Sequence, residues 1–283
     1  MEIKSLEDIS FEAVFAAFNQ AFADYEMQLN ADELKSMLIR RGYRAELSFA
    51  AFEGEKIVAF TLNGTGDFNG LKIAYDTGTG TLKSHRGQSL AGKIFEHSIP
   101  YLQHAGISQY LLEVLEHNTA AVSVYQKAGF KITREFNYFS WNNEAAKAAL
   151  GDTAGKFQIK PVTCRLPEKV SEFWDFEPSW QNTFQSVERA QENFVNLGAY
   201  DGEQLVGYCI FEPLSGDLTQ IAVHQDHRRK GVGSLLLQEM TKLNTNSRAK
   251  LINAEVNCTA ILHFLKSKNI EPTGKQYEMV KEL

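Results

Sequence analysis

Cysteine, proline and long apolar runs are all scarce in this chain. Its 283 residues include three Cys and six Pro. Cys164, Cys209 and Cys258 are odd in number, widely spaced and outside any C-x-x-C pair. That speaks against a disulfide framework or a dithiol redox motif and leaves reduced thiols in buried or half-buried places. No stretch of ~18 apolar residues occurs, so no transmembrane helix is expected. Met1-Glu2-Ile3-Lys4 lacks the apolar core of a secretory signal, and the expected compartment is the cytoplasm. Basic charge is short as well: 29 Lys and Arg stand against 35 Asp and Glu. Nucleic-acid binding needs the opposite balance, whereas mild acidity is compatible with an amine substrate. There is no Gly-Lys-Ser/Thr of a Walker loop, and Gly64-Thr65-Gly66 and Gly78-Thr79-Gly80 lack the third Gly of a dinucleotide fingerprint. His224 and His227 form a pair, but no Cys/Asp/Glu constellation completes a metal site around them.

What is present suits a globular protein: 43% hydrophobic residues against 23% charged is an ordinary ratio. The length accommodates two domains of about 140 residues each. Strand and helix patterns alternate, and the order occurs twice. In the first half, strand Ile3–Leu6 precedes a helix capped by Ser10 and another over Ala31–Arg41. Strands Leu47–Glu53, Lys56–Asn63 and Leu71–Leu82 follow, with Gly78 and Gly80 marking a bulge or a close backbone approach. Helix Ser89–Ala105, strand Tyr110–Leu115, helix Thr119–Ala128 and strand Phe130–Trp141 complete the half. After the small, polar stretch Asn142–Lys156 the second half repeats the order. It has strand Gln158–Val162, a helical region over Lys169–Phe194 and a hairpin around Asp201-Gly202. Strand Leu218–Val223, helix Gly233–Leu243, strand Lys250–Val256 and helix Thr259–Ser267 follow. Trp180 is either a packing anchor or a substrate wall.

One short grammar recurs in both halves. Arg228-Arg229-Lys230-Gly231-Val232-Gly233-Ser234 follows a strand and opens a helix; so does Arg86-Gly87-Gln88-Ser89-Leu90-Ala91. Free amides at a helix N-terminus, small residues and an Arg can hold a pyrophosphate. Downstream of each lies a second element, Asn118 to Phe130 and Asn257 to Ser267.

On these motifs the chain resembles the GNAT family of acetyl-CoA-dependent N-acetyltransferases. The family's Gln/Arg-x-x-Gly-x-Gly/Ala is met in full by Arg228, Gly231 and Gly233. In the first copy it is met by Arg86 and Ala91, with Ser89 in place of Gly. The family's Asn-x-x-Ala-x-x-x-Tyr-x-Lys-x-Gly-Phe is met by Asn118, Ala121, Tyr125, Lys127, Gly129 and Phe130. The second copy keeps Asn257 and Ala260 but has Phe264 where Tyr is usual, and it lacks the closing Gly-Phe. The resemblance implies an α/β fold of two tandem GNAT-like domains, each a mixed, mostly antiparallel sheet flanked by helices. Residues 1–141 form the catalytic half, 142–156 a linker and 157–283 a second, acetyl-CoA-binding half.

It also implies acetyl transfer from acetyl-CoA to a primary amine, small molecule or peptide, without metal, nucleic acid or membrane, by a monomer or homodimer. A non-catalytic acyl-CoA-binding protein on the same fold is the competing class. Tyr125 is the implied acid for the departing thiolate, a phenol of suitable basicity. Glu113 and Asp76 are the candidate bases; each is otherwise a strand carboxylate facing solvent. The cofactor set implied is Gly80, Thr81, Leu82, Arg86, Gly87, Ser89, Ala91 and Asn118 in the first half. In the second it is Ile221, Ala222, Val223, Arg228, Arg229, Gly231, Gly233, Ser234 and Asn257. Backbone amides of the preceding strand would polarise the thioester. Asn118 and Asn257 either bond the pantetheine arm or cap a helix.

Overall fold

The computed structural model describes residues 1–24, 28–150, 156–162 and 168–283, with backbone alone for 147–150 and 168–169. Cys164 therefore lies outside the described residues. In chain order the elements are β1 (Glu2–Ser5), α1 (Phe11–Ala21), α2 (Ala31–Arg40), β2 (Phe49–Glu53), β3 (Lys56–Phe68) and β4 (Leu71–Thr81). Next come α3 (Leu90–His104), β5 (Gln109–Leu115), α4 (Thr119–Lys127), β6 (Lys131–Asn142), α5 (Asn143–Leu150) and β7 (Gln158–Pro161). The remainder is α6 (Phe184–Arg189), β8 (Val195–Asp201), β9 (Gln204–Glu212), β10 (Asp217–Val223), α7 (Val232–Leu243), β11 (Arg248–Glu255), α8 (Thr259–Lys266) and β12 (Pro272–Glu282).

The chain forms two compact units whose boundary is not one point in the sequence. The first holds Met1–Val114, Asn118–Thr133 and Glu278–Leu283; the second holds Leu115–His117 and Arg134–Tyr277.

In the first unit the strands run β1-β2-β3-β4-β5. All pairs are antiparallel except β4 with β5, which is parallel. Local chemistry sets the helices. The Ser10 hydroxyl accepts from Ala13 N at the start of α1, and Asn30 with Glu33 makes a reciprocal capping box on α2. The β3–β4 register shifts at Leu62/Asn63, so Thr77 is an extra residue on β4. This bulge matters for function, because it decides which face each later β4 side chain takes. The C-terminal residues close this unit: Leu283 N donates to Ser108 O at 2.9 Å, and Gln109 Nε2 to Glu282 Oε1 at 2.7 Å.

In the second unit the order is β12-β6-β11-β10-β9-β8-β7, with β10 and β11 parallel. The β9–β10 register shifts between Leu218 and Gln220, making Thr219 the extra residue. Helix α7 packs Leu236, Leu237 and Met240 into the core with Leu251 and Leu265. The expected linker is partly structured. Asn142 ends β6, and α5 follows, with Asn143 buried and its side-chain amide donating to Thr241 O at 3.1 Å. Residues 151–155 lie outside the described residues. The expected long helical region over Lys169–Phe194 is instead a series of 3-10 turns (Glu168–Phe173, Trp180–Asn182, Gln191–Asn193) and the six-residue α6. Pro178 disfavours helix before it, and the apolar residues here pack singly, Val170, Phe173, Val187 and Phe194 around Tyr208 and Ile210. Trp180 is a fully buried anchor, 1% exposed.

Candidate active site

The loop after β4 is held by its own chain. Leu82 N donates to Val58 O at 2.9 Å, and a turn over Lys83–His85 leads to Arg86. Gly87 and Ser89 both take left-handed backbone, φ 81° and 57°. The loop leads straight into the N-terminus of α3, whose first amides have no intrahelical partner, a geometry suited to an anion. Side chains added at Gly87 or Gly92 would meet nothing within 4 Å, so the loop and the first turn of α3 offer an open cradle. Arg86 does not point into it. Its Nε donates to Thr81 O at 3.3 Å and one amino group to Ala21 O at 2.9 Å, and Asp24 lies 3.5 Å away. It braces the loop, leaving the amides to meet a ligand. Gly80 is needed for packing: a Cβ there would stand 2.5 Å from the Phe60 ring.

Beside this loop, within the first unit, a narrow cleft opens between α3, α4 and the sheet. Thr61, Asp76, Thr79, Ala91, Phe95, Tyr110, Val124, Tyr125 and Phe130 are among its walls. Pairing of β4 with β5 stops at Tyr75–Leu111, although both strands continue, so the sheet parts at this point. Tyr125 Oη donates to Asp76 Oδ2 at 3.4 Å. Asp76 Oδ1 accepts from Gly78 N at 2.9 Å, and Oδ2 from the Thr79 hydroxyl at 2.8 Å. Desolvation outweighs these bonds and raises the Asp76 pKa to about 6. On the same face the Tyr110 hydroxyl donates to Asn63 Oδ1 at 2.5 Å. Burial first, then the Asp76 charge, pushes the Tyr110 phenol well above its ordinary range.

Glu113 lies on the other side of the sheet. Its pairing partner strand carries Tyr75 on that face, and the Tyr75 hydroxyl bonds Glu113. Arg41 stands over the Tyr75 ring at 5.9 Å. The structure thus brings Tyr125 and Asp76 together and keeps Glu113 on the opposite face. Asn118 caps α4, its Oδ1 accepting from Ala121 N at 3.3 Å. Thr61, Thr79 and Tyr110 were not singled out from sequence; the alternation of β3 and β4 around the Gly78 bulge signal could have placed the two threonines beside Asp76.

The second unit repeats the scaffold with other groups. Arg229 and Gly231 take the left-handed positions, φ 59° and 89°. They correspond to Gly87 and Ser89, so the glycine has changed places. Arg228 again braces: Nε to Val223 O at 3.0 Å, and amino groups to Asp175 at 2.9 Å and Phe173 O at 3.2 Å. Ile221, Ala222 and Val223 pair with Cys209, Tyr208 and Gly207 of β9. Val232 and Gly233 open α7, followed by Ser234. The cap of α8 is Cys258, and Asn257 is exposed one residue before it. Counting from the caps, Leu265 stands where Tyr125 stands and Phe264 where Val124 stands. A Cβ on Gly233 would lie 3.3 Å from the Phe264 ring. That aromatic face narrows the passage that Ala91 and Val124 leave open in the first unit. By the same count and the shared bulge, Asp76 corresponds to Leu218, Gly78 to Gln220 and Glu113 to Asn253. His224 Nδ1 accepts from Asp226 N at 3.2 Å, and His227 lies 3.9 Å from Asp201. Among the described residues no group of three His, Cys, Asp or Glu could hold a metal, and no helix is long and apolar enough to cross a membrane.

Comparison with known proteins bears on the family and the fold. Residues 11–130 match the family model "Acetyltransferase (GNAT) family", and residues 192–268 match "Acetyltransferase (GNAT) domain". A curated relative, "N-alpha-acetyltransferase 30" of Schizosaccharomyces pombe (strain 972 / ATCC 24843), is 25% identical over 107 residues, 37% of this chain and 71% of its own. A tandem GNAT protein from the clavulanic acid biosynthesis pathway has a similar fold, with TM-score 0.73, 14% identity, 99% of this chain and 98% of that one covered. A GCN5-related N-acetyltransferase from Sphaerobacter thermophilus gives TM-score 0.70, 13% identity and coverage of 99% and 95%.

Proposed function

This chain belongs to the GNAT acetyltransferase family as a tandem of two such domains, and on that premise we propose that it moves an acetyl group from acetyl-CoA to a primary amine, with the chemistry in its first unit. The observation that carries the proposal is the Tyr125–Asp76 contact inside a cleft beside an anion-holding loop. The loop amides at Gly87–Ala91 would take the pyrophosphate, and the parted strands β4 and β5 leave room for the thioester.

The amine nitrogen attacks the thioester carbonyl and forms the new C–N bond. The resulting ammonium proton passes to ionised Asp76, whose raised pKa keeps it basic enough to accept it. The C–S bond breaks and the thiolate takes the Tyr125 proton. Asp76 then returns its proton to the phenolate across the contact they already share. Acid and base are thereby both restored without an outside donor.

The second unit is assigned no proton transfer, because Leu218, Asn253 and Leu265 offer neither acid nor base at the corresponding places. The curated relative is called an N-alpha-acetyltransferase, so peptide α-amines head the acceptor panel. Thiol release from acetyl-CoA is measured against peptides, polyamines and aminoglycosides. Tyr125→Phe is expected to lower turnover by roughly 10²-fold while leaving acetyl-CoA binding within about twofold. Tight binding of acetyl-CoA with no turnover on any amine would replace this reading by a non-catalytic acyl-CoA-binding role.

A further inference from the structure

The last six residues of the chain lie in the first unit, and one of them reaches the walls of its cleft. The Lys281 ammonium donates to Ala128 O at the C-terminal end of α4. It also stands 5.4 Å from the centroid of the Phe95 ring on α3. Phe95 and Ala128 both line the cleft, on its two helical walls. A cation at a helix C-terminus meets the negative end of the macrodipole, and a cation over a ring meets its negative face.

The approach is built into the chain. Gly129 has φ 91°, where an L side chain is strained. A Cβ there would also stand 3.3 Å from Lys281 Nζ. The glycine thus ends the helix and admits the ammonium. Below the ammonium, Phe95, Tyr110 and Phe130 form a mutual aromatic cluster with centroids 5.0–5.7 Å apart. Tyr125 joins it edge-on to Phe130 at 5.6 Å, and Phe130 N donates to Tyr125 O at 3.0 Å. A change at Ala128 is therefore transmitted to Tyr125 through one helical turn and one ring.

We propose that Lys281 is a positioning residue: its ammonium ties the end of α4 to the wall of α3 and so fixes where the Tyr125 hydroxyl stands relative to Asp76. The proposal rests on the acetyltransferase reading above for its kinetic consequence, but not for its structural one.

The test uses the full chain carrying Lys281→Met, which keeps the stem and removes the charge, beside Lys281→Arg and Lys281→Gln. Two readouts are taken: backbone hydrogen exchange over residues 119–130, and kcat with KM for acetyl-CoA. In K281M, exchange in α4 is expected to quicken by about tenfold and kcat to fall by about tenfold, as loss of a helix-end cation and a ring contact implies. The wild-type values should return in large part in K281R. K281Q, which retains a donor, reads the same quantities if K281M does not fold. Unchanged α4 exchange in the folded variants overturns the proposal. So does a lowered melting temperature with kcat of the folded protein intact, since that is the mark of a merely structural lysine. A wild-type protein with no turnover overturns the acetyltransferase reading instead, and the exchange data still decide the role of Lys281.

Discussion

Asp76 should make the folded protein less stable at neutral pH than a neutral side chain would. Burial raises its pKa from 3.8 to about 6, against hydrogen bonds from Thr79, Gly78 and Tyr125 that pull it down. At about 1.4 kcal/mol per pKa unit, ionised Asp76 costs the folded state about 3 kcal/mol. The sign follows from proton uptake. Below pH 3.8 both folded and unfolded chains hold the proton and no cost exists. Between 3.8 and about 6 the unfolded chain releases it while the folded chain keeps it, so stability falls as pH rises. Above about 6 the cost is constant.

Asp76→Asn removes the charge and can still accept from Gly78 N. Its amide hydrogens require the Thr79 and Tyr125 hydroxyls to turn and accept, which returns part of the gain. The net expectation is about 1–3 kcal/mol of added stability at pH 8 and about zero near pH 4, read by urea unfolding of both proteins across the range. Turnover at pH 8 should fall by roughly 10²-fold if the carboxylate takes the amine proton. A variant no more stable at pH 8 than at pH 4, relative to wild type, would refute the desolvated carboxyl. Unchanged turnover would refute the relay.

Ser89→Gly should stabilise the first unit by about 0.5 kcal/mol, because relief of left-handed strain of about 1–2 kcal/mol exceeds the added unfolded-state entropy; thermal unfolding measures it, and a loss of stability would contradict the strain argument. Phe264→Ala should cost about 2 kcal/mol, since a half-buried ring is removed from the wall facing Gly233, and leave turnover unchanged. Calorimetric titration of the wild type with acetyl-CoA should show two binding events per chain, since a side chain at Gly231 would meet nothing within 4 Å and the second loop is as open as the first; one event would mean that the Phe264 ring closes the second passage.

Much of the fold is legible in the sequence because its signals are local. Ser10 and the Asp201-Gly202 turn act within a few residues, and the structure uses both as expected. Gly78 and Gly80 point to the bulge of β4, which is present at Thr77. Three things escape such reading. The strand Pro272–Glu282 carries Lys275, Gln276, Glu278, Lys281 and Glu282 with no regular apolar/polar alternation, so its partners define it and its composition does not. The division of Asp76 and Glu113 between opposite faces depends on the parity of β4 after an extra residue. The counterpart of Tyr125 depends on one residue of helix phase: matching Asn257 to Asn118 selects Phe264, whereas the Cys258 cap selects Leu265. Successive helical residues point about 100° apart, so a one-residue offset exchanges a cleft wall for a core side chain.

The two units fill corresponding places of one scaffold with different chemistry. At the place of Gly78 on β4 the second unit has Gln220, whose amide donates to Asn182 O at 2.5 Å and whose oxygen accepts from Tyr208 at 2.7 Å. Trp174 Nε1 donates in turn to the Tyr208 hydroxyl at 2.5 Å. Where Glu113 stands, Asn253 donates to Ser179 Oγ at 2.6 Å and accepts from Gln276. These are neutral groups joined in chains of donors and acceptors, which is how a buried polar network avoids the cost of desolvation. Asp76 occupies the contrary situation, a carboxyl whose bonds do not offset its burial. Leu218 at the corresponding place carries no such penalty. The second copy thus has packing and satisfied amides where the first has a desolvated carboxyl, and under the proposed function that difference favours the first copy for the chemistry.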